Sequence, residues 1–158
     1  MDYLKLAVSV VVCFVAGFIG SIFTTPAIPT WYAQLNKPPF TPPNWLFAPV
    51  WTTLYLLMAI SAYLVWRKGL GNKEIRIALG VFLVQLILNS LWSVLFFGLR
   101  SPLMGAIEIV VLWVAILLTI IYFFKISKAA GWLLVPYILW DSFAAILNFS
   151  VLILNPIK

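Results

Sequence analysis

Tryptophans and asparagines lie on shared helix faces deep inside three apolar stretches of this sequence. Asn89 lies three positions before Trp92, Asn148 lies eight positions after Trp140, and Trp51 precedes a tyrosine by one helical turn. Positions at these spacings fall on one face of an α-helix. Stacking and dispersion can hold the faces of a flat apolar molecule while amides bond its edge. The pattern therefore indicates a pocket for a planar apolar ligand.

Simpler roles remain open for the same residues. The three faces comprise Phe47, Trp51, Tyr55, Met58, Ala62 and Trp66; Asn89, Trp92, Ser93 and Phe96; and Tyr137, Trp140, Asp141, Ala144 and Asn148. Aromatic side chains also pack bundles or anchor them at a membrane surface, as we expect for Trp45, Trp66 and Trp132 at the ends of the stretches. The asparagines fit ligand binding and interhelical hydrogen bonding equally well, and the gap at Ala144 fits a ligand or close helix packing.

Two acids within the apolar stretches raise the alternative of proton or ion movement. Glu108 lies near enough to the end of its stretch to stay hydrated or find a partner, whereas Asp141 lies deeper, where a charge facing lipid is costly. The chain has no histidine and a single cysteine, Cys13, so no metal site can be assembled from these two residue types and no metal is expected. No nucleophile, base and orienting group follow a hydrolase pattern.

The apolar content of the chain determines where these residues must lie. The sequence has 158 residues, is 65% hydrophobic and 9% charged, and has a mean hydropathy of +1.12. A soluble domain of this size cannot bury so much apolar surface, whereas runs of about 20 apolar residues span a bilayer as helices. Such runs occupy residues 4–23, 45–66, 77–99, 103–124 and 132–154. We predict an all-α integral membrane bundle, with residues 1–158 forming one domain of five transmembrane helices.

Basic residues gather on one side of the predicted bundle and indicate its orientation. The two sides carry Lys5, Arg67, Lys68, Lys73, Arg76, Lys125 and Lys128 against Lys37, Arg100 and Lys158. By the positive-inside rule the N-terminus is cytoplasmic, so the net charge of +6 does not indicate nucleic acid. The apolar run after Lys5 is longer than that of a signal peptide, and we interpret it as a retained helix. The lack of a targeting presequence suits a prokaryotic cell, with inner and outer membranes both open.

The first connection, about residues 24–44, is the only long one and is rich in proline. Proline pairs, including Pro42 and Pro43, exclude helix from most of it and stiffen it at low entropic cost. We predict that it closes as a lid over the outer end of the bundle, with Trp31 and Tyr32 facing the pocket.

Small residues recur on one face of the first predicted helix. They are Ala16, Gly17, Gly20 and Ser21. Their spacing allows another backbone to approach closely, and it fits either packing inside the bundle or a dimer contact.

Three blocks of the sequence resemble those of the translocator protein family, also called tryptophan-rich sensory proteins or peripheral-type benzodiazepine receptors. They are WYAQLNKPPFTPPNWLFAPVWTTLY, LNSLWSVLFFG and LLVPYILWDSFAAILN. The resemblance implies a five-helix bundle, usually dimeric, that binds porphyrins such as protoporphyrin IX, and other planar apolar ligands, beneath the first loop. The matching ligand-binding positions are Tyr32, Pro42, Pro43, Trp51, Asn89, Trp92, Tyr137, Trp140, Ala144 and Asn148.

The sequence also departs from the family in places. Phe149 stands where animal members have the tyrosine of a cholesterol motif, and no basic residue follows it before Lys158. We therefore expect no specific sterol site at that end. Asp141 occupies a position where the family implies an uncharged residue, whereas Glu108 matches a position that is often acidic and is read as structural. Phe143 also matches the family but lies off the predicted face, and we interpret it as packing.

Three functions follow as alternatives. The first is binding of porphyrins and similar planar ligands, with a role in transport or stress sensing and no cofactor. The second is light-dependent oxidative degradation of protoporphyrin IX, in which Trp51 and Trp140 would be the catalytic residues that the resemblance implies. The third is a regulatory partner that acts through contacts with other membrane proteins.

Overall fold

Five long helices follow one another along residues 1–156, which the structure, a computed structural model, describes. They are α1 Tyr3–Ala27, α2 Phe47–Trp66, α3 Lys73–Ser93, α4 Pro102–Ile126 and α5 Lys128–Leu154. Short 3-10 turns form at Tyr32–Gln34 and Asn44–Leu46, and α3 continues into a π-helical segment, Val94–Gly98. Each long helix is apolar and long enough to cross a membrane. The predicted all-α bundle of five such helices is confirmed.

Side-chain caps determine where four of the helices begin. The carboxylate of Asp2 accepts from an N–H in the first turn of α1, and Asn72, Ser101 and Ser127 do the same for α3, α4 and α5. Ser127 is also the last cap of α4, so a single residue separates α4 from α5. Such short connections force neighbouring helices to run antiparallel.

Three of the predicted boundaries were wrong, the first being the start of α3, at Lys73 and not at residue 77; the other two are the end of α1 and the start of α5. Helix α1 continues through Pro26 to Ala27, so the proline-rich loop begins near residue 28 and not at 24. Helix α5 begins at Lys128, where the sequence suggested a turn up to Gly131. In all three places the helix extends past the apolar run used to predict it, because caps and backbone hydrogen bonds end a helix and hydropathy does not.

Antiparallel packing brings the basic residues to one end of the bundle, here called the basic end. The backbone N–H of Asp2 donates to the hydroxyl of Tyr63 at 3.3 Å, and Lys68 Nζ donates to the carbonyl of Ile126 at 3.0 Å. These contacts bring together the start of α1 and the ends of α2 and α4. The proline-rich loop lies at the opposite end, here called the cavity end. Lys158, which was counted with that side, lies outside the described residues.

The core is tightest in the half of the bundle next to the basic end. Phe82 stacks on Phe123 with ring centroids 5.7 Å apart, and Ser61 Oγ donates to the carbonyl of Ala130 at 2.7 Å. The small face of α1 also packs inward, since Ala16 and Gly20 are buried. This face therefore serves packing inside the bundle, one of the two roles predicted for it.

Candidate ligand-binding cavity

A cavity of about 250 Å³ lies between the helices in the half next to the cavity end. All five helices line it, and most of the lining side chains are apolar or aromatic. Four lining residues are exposed, namely Ser21, Thr25, Asn44 and Ala48. These residues belong to the outer part of α1 and the start of α2, so the cavity opens sideways between these two helices.

Seven of the ten predicted ligand-binding residues line this cavity. They are Tyr32, Trp51, Asn89, Trp92, Trp140, Ala144 and Asn148. The face predicted for α3 lies on the cavity in full, because Ser93 and Phe96 also line it. Helical periodicity therefore located this wall correctly.

Pro42, Pro43 and Tyr137 lie outside the lining. Pro43 is extended and caps the 3-10 turn whose first residue, Asn44, does line the cavity. The two prolines thus direct the chain into the wall without forming it. Tyr137 is fully buried one layer behind the wall.

A chain of hydrogen bonds explains the position of Tyr137. The hydroxyl of Tyr55 donates to Asn89 Oδ1, and Asn89 Nδ2 donates to the hydroxyl of Tyr137 at 2.8 Å. The Tyr137 hydroxyl in turn donates to Gln85 Oε1 at 2.8 Å. The chain ties α2, α3 and α5 together, and it engages both ends of the Asn89 amide.

Asn148 forms the second such tie. Its Oδ1 accepts from the indole N–H of Trp92 at 2.9 Å, and its Nδ2 donates to the carbonyl of Pro102 at 2.9 Å. Of the two roles left open for the asparagines, interhelical bonding is therefore present at both, although both side chains also border the cavity.

Aromatic rings close the outer side of the cavity. Trp92 stacks on Phe96 with centroids 4.9 Å apart, and Trp31 packs edge-on against Phe96 at 5.4 Å. Trp31 was predicted to face the pocket, but it lies behind this ring and outside the lining. The π-helical segment allows Phe96 and its neighbour Phe97 both to line the cavity, and π-bulges are frequent at functional sites.

The proline-rich loop is fastened over the cavity end at two points. Lys37 Nζ donates to the carbonyl of Tyr32 at 2.7 Å and lies 4.5 Å from the centre of the Tyr32 ring. Burial raises the pKa of the Tyr32 hydroxyl above its ordinary value, so this is a cation–π contact with a neutral ring. At the second point the Asn36 N–H donates to Asn155 Oδ1 at 3.0 Å, and Asn155 Nδ2 donates to the Asn36 carbonyl at 2.8 Å.

The contributions of α1 and α4 were not predicted. Gly17, Gly20, Ser21, Thr24, Thr25 and Ile28 line the cavity from the first, and Ile109 and Leu112 from the second. The only sequence signal on α1 was the run of small residues, which equally fits helix packing. Aliphatic residues of a membrane helix carry no sign of whether they face a cavity or lipid.

Asp141 also lines the cavity, and both acids are buried. Glu108 was expected to stay hydrated or to find a partner, and this was wrong. Only 6% of it is exposed, and neither carboxylate oxygen has a hydrogen-bond partner in the described part of the chain. Helix α4 packs against α5 and α3, and the burial of Glu108 places it on the packed side of α4.

Comparison with known proteins identifies one family and several relatives that match most of the chain. The model of the TspO/MBR family matches residues 9–154. The chain is 48% identical to the tryptophan-rich protein TspO of Archaeoglobus fulgidus, over 98% of this chain and 99% of that one. It is 40% identical to protein CrtK of Rhodobacter capsulatus, over 99% and 96%. It is also 37% identical to the human translocator protein, over 85% and 80%.

Proposed function

This chain belongs to the TspO/MBR family, and from that premise we propose that it binds planar apolar ligands, porphyrins such as protoporphyrin IX among them, in the cavity under the proline-rich loop. It is an integral, multi-pass membrane protein. The observation that carries the proposal is the convergence of Trp51, Trp92 and Trp140 from three helices on one cavity. Flat aromatic walls favour flat aromatic ligands because stacking and dispersion act over the whole ring face.

The size of the cavity sharpens this proposal. Its volume of about 250 Å³ lies just below the range of about 300–1,000 Å³ that is common for ligand pockets. A compound of two or three fused rings would fit within such walls. A tetrapyrrole is larger, so part of its ring would extend through the opening between α1 and α2, or Tyr32 and the loop would move outward.

Titration of protoporphyrin IX into the detergent-purified protein in the dark tests the proposal. We expect saturable quenching of tryptophan fluorescence, weakened in Trp51→Phe and Trp140→Phe, both of which change the cavity wall. Trp45→Phe is the matched control, because Trp45 is exposed outside the cavity. Absence of saturable quenching in the wild type would overturn the proposal. Equal weakening by all three substitutions would show that quenching reports contact with the detergent-exposed surface.

Light-dependent degradation of protoporphyrin IX is the second candidate. Trp51 and Trp140 line the same cavity, and the Trp51 ring lies 5.7 Å from Tyr55 and 6.3 Å from Tyr137. Illumination under oxygen separates the candidates. Loss of porphyrin to a defined product that both tryptophan substitutions abolish favours the enzyme, whereas saturable binding without such loss favours a binding protein.

Orientation and assembly complete the proposal. The excess of lysine and arginine at the basic end supports a cytoplasmic N-terminus, with the loop on the opposite side, and cysteine labelling from either side of sealed vesicles tests it.

A homodimer remains part of the proposal, and its contact must use residues other than Gly20, which is buried against Ser93. A regulatory role through other membrane proteins predicts instead that cavity substitutions leave the cellular phenotype unchanged.

A further inference from the structure

Two carboxyl groups are buried together in the middle of the bundle. Asp141, midway along α5, is 1% exposed, and Glu108, in the second turn of α4, is 6% exposed. The two helices pack against each other, so both acids belong to the same helix pair. An acid at membrane depth is costly and marks a functional site by default.

Neither acid is compensated by the protein. Asp141 Oδ2 and both carboxylate oxygens of Glu108 have no hydrogen-bond partner in residues 1–156, where the one ion pair is that of Lys5 with Asp2, on the surface. This contrasts with the buried amides nearby, Asn89 and Asn148, which are bonded at both ends. Buried polar groups almost always have partners, because an unpaired one costs free energy.

Within the described residues the neighbouring side chains make no bond to either acid, and Gln85 Nε2, a buried donor in the same network, is itself unpaired. A tyrosine hydroxyl has one hydrogen, and those of Tyr55 and Tyr137 are already donated to Asn89 and Gln85. The lining of the cavity includes no lysine or arginine. Asp141 is itself part of that lining, so a donor that reaches it would come from a molecule in the cavity.

We propose that Asp141, on the wall of the cavity, is a subsite for the positively charged group of a planar aromatic ligand. This rests on the proposed function, since the same cavity holds the aromatic part of the ligand. Only one carboxyl group, that of Asp141, belongs to the cavity wall, which matches a ligand with a single positive charge. Aromatic faces such as Trp51 and Trp140 also attract a cation.

A metal ion fits this pair less well. In the described chain no group of three or more histidine, cysteine, aspartate or glutamate side chains is placed to hold one. Divalent cations in proteins take several oxygen or nitrogen ligands. An organic cation needs only one carboxylate and apolar walls, and these are what the cavity offers.

Two matched probes test the proposal on the full protein in a non-ionic detergent. They are 9-aminoacridine, a three-ring cation at neutral pH, and acridine, its uncharged parent at that pH. Equilibrium dialysis, corrected with protein-free micelles, gives both affinities. The wild type is expected to bind the cation at least about tenfold more tightly, which corresponds to 1.4 kcal/mol. The net charge of +6 opposes non-specific uptake of a cation, so it cannot produce this preference.

Three substitutions locate the subsite. Asp141→Asn keeps the size of the side chain and removes its charge, so it should lower the affinity for 9-aminoacridine to that for acridine in the same variant and thereby abolish the preference. Glu108→Gln should retain most of the preference, because Asp141 is part of the cavity lining and Glu108 is not. Glu74→Gln removes an exposed acid from the basic end as a control for overall charge, and it should change neither affinity.

Each outcome decides between the proposals. Saturable acridine binding without a preference for the cation in the wild type overturns the subsite and leaves the proposed function standing, and so does a preference that persists in Asp141→Asn. If neither probe binds saturably, both proposals are wrong for ligands of this size. The wild-type ratio needs no variant, so it tests the subsite even where Asp141→Asn does not fold.

Discussion

The two halves of the bundle are built from similar apolar residues but are held together differently. Next to the basic end, side chains such as Met58, Ile116 and Phe123 are completely buried against one another. Next to the cavity end, hydrogen bonds through Asn89 and Asn148 join helices that leave a gap between them. A membrane bundle can thus keep a cavity open when polar ties between helices replace part of the packing.

The largest expected effect comes from creating a cavity in the half of the bundle next to the basic end. Phe123→Ala removes a ring that is fully buried and stacked on Phe82, and we expect it to lower the free energy of unfolding by about 3–5 kcal/mol. Unfolding in detergent mixtures measures the loss. The matched change in the other half is Phe96→Ala, which should cost less because Phe96 already borders a cavity, but should weaken ligand binding. Equal losses of stability would contradict the distinction between the halves.

Closing the gap from the α1 side should weaken ligand binding as well as stability. A Cβ atom at Gly17 would lie 2.7 Å from Cε2 of Tyr55, so Gly17→Ala must displace a ring that lines the cavity and bonds Asn89. Overpacking of this kind costs about 1–3 kcal/mol, and we expect protoporphyrin affinity to fall by about tenfold.

Gly80→Ala is the control for this change. Gly80 lies within α3, and a Cβ atom there would meet nothing within 4 Å. Alanine should leave binding unchanged and stabilise the helix slightly. Unaltered binding in Gly17→Ala would mean that the Tyr55 ring can move without consequence for the cavity.

Removing the hydrogen bonds between the loop and Asn155 should have a smaller effect, mainly on the rates of hydrogen exchange and ligand dissociation. Asn155→Ala removes two hydrogen bonds to Asn36, each with a net value of about 1 kcal/mol or less at an exposed site. We expect faster hydrogen exchange in the loop and ligand dissociation that is severalfold faster. Ser150→Ala, which loses only a bond to Ile146 of its own helix, should change neither rate. A loop that exchanges no faster in Asn155→Ala is fastened by its other contacts.

The smallest effect is expected at the Lys37 contact. Lys37→Met removes a cation–π contact between half-buried Lys37 and buried Tyr32 that is worth on the order of 1 kcal/mol, together with its bonds to loop carbonyls. Lys37→Arg keeps the charge and should bind ligand like the wild type. Ligand association measured by stopped-flow quenching should therefore differ between the two variants by no more than a few fold. Identical association rates in Lys37→Met and Lys37→Arg would show that the Lys37 contact does not control how fast the ligand enters the cavity.

The sequence predicts the helices and one wall of the cavity because both depend on periodic patterns. Apolar runs mark the five spans, and the spacing of Asn89, Trp92 and Phe96 places them on one face. The π-helical segment breaks this period and brings in Phe97, which a repeat of 3.6 residues cannot predict.

Other features depend on contacts between distant parts of the chain. Asn36 and Asn155 are 119 positions apart, and nothing local in the sequence indicates that they meet. Tyr137 lies on the predicted face, yet its hydroxyl is drawn toward Gln85 and away from the cavity. The resemblance to a family identifies Pro42 and Pro43 as site residues, but it does not distinguish a residue that shapes a wall from one that forms it.

The single residue between α4 and α5 has a consequence for how the chain enters the membrane. Because Ser127 caps both helices, they form a tight hairpin with little freedom to separate. We expect the translocation machinery to release them into the membrane together, with Glu108 and Asp141 in the same hairpin. Neither acid would then have to cross the hydrocarbon core alone, which is the costly state for a charged side chain in lipid. The short turn thus reduces the exposure of the two acids to lipid while the chain is being inserted.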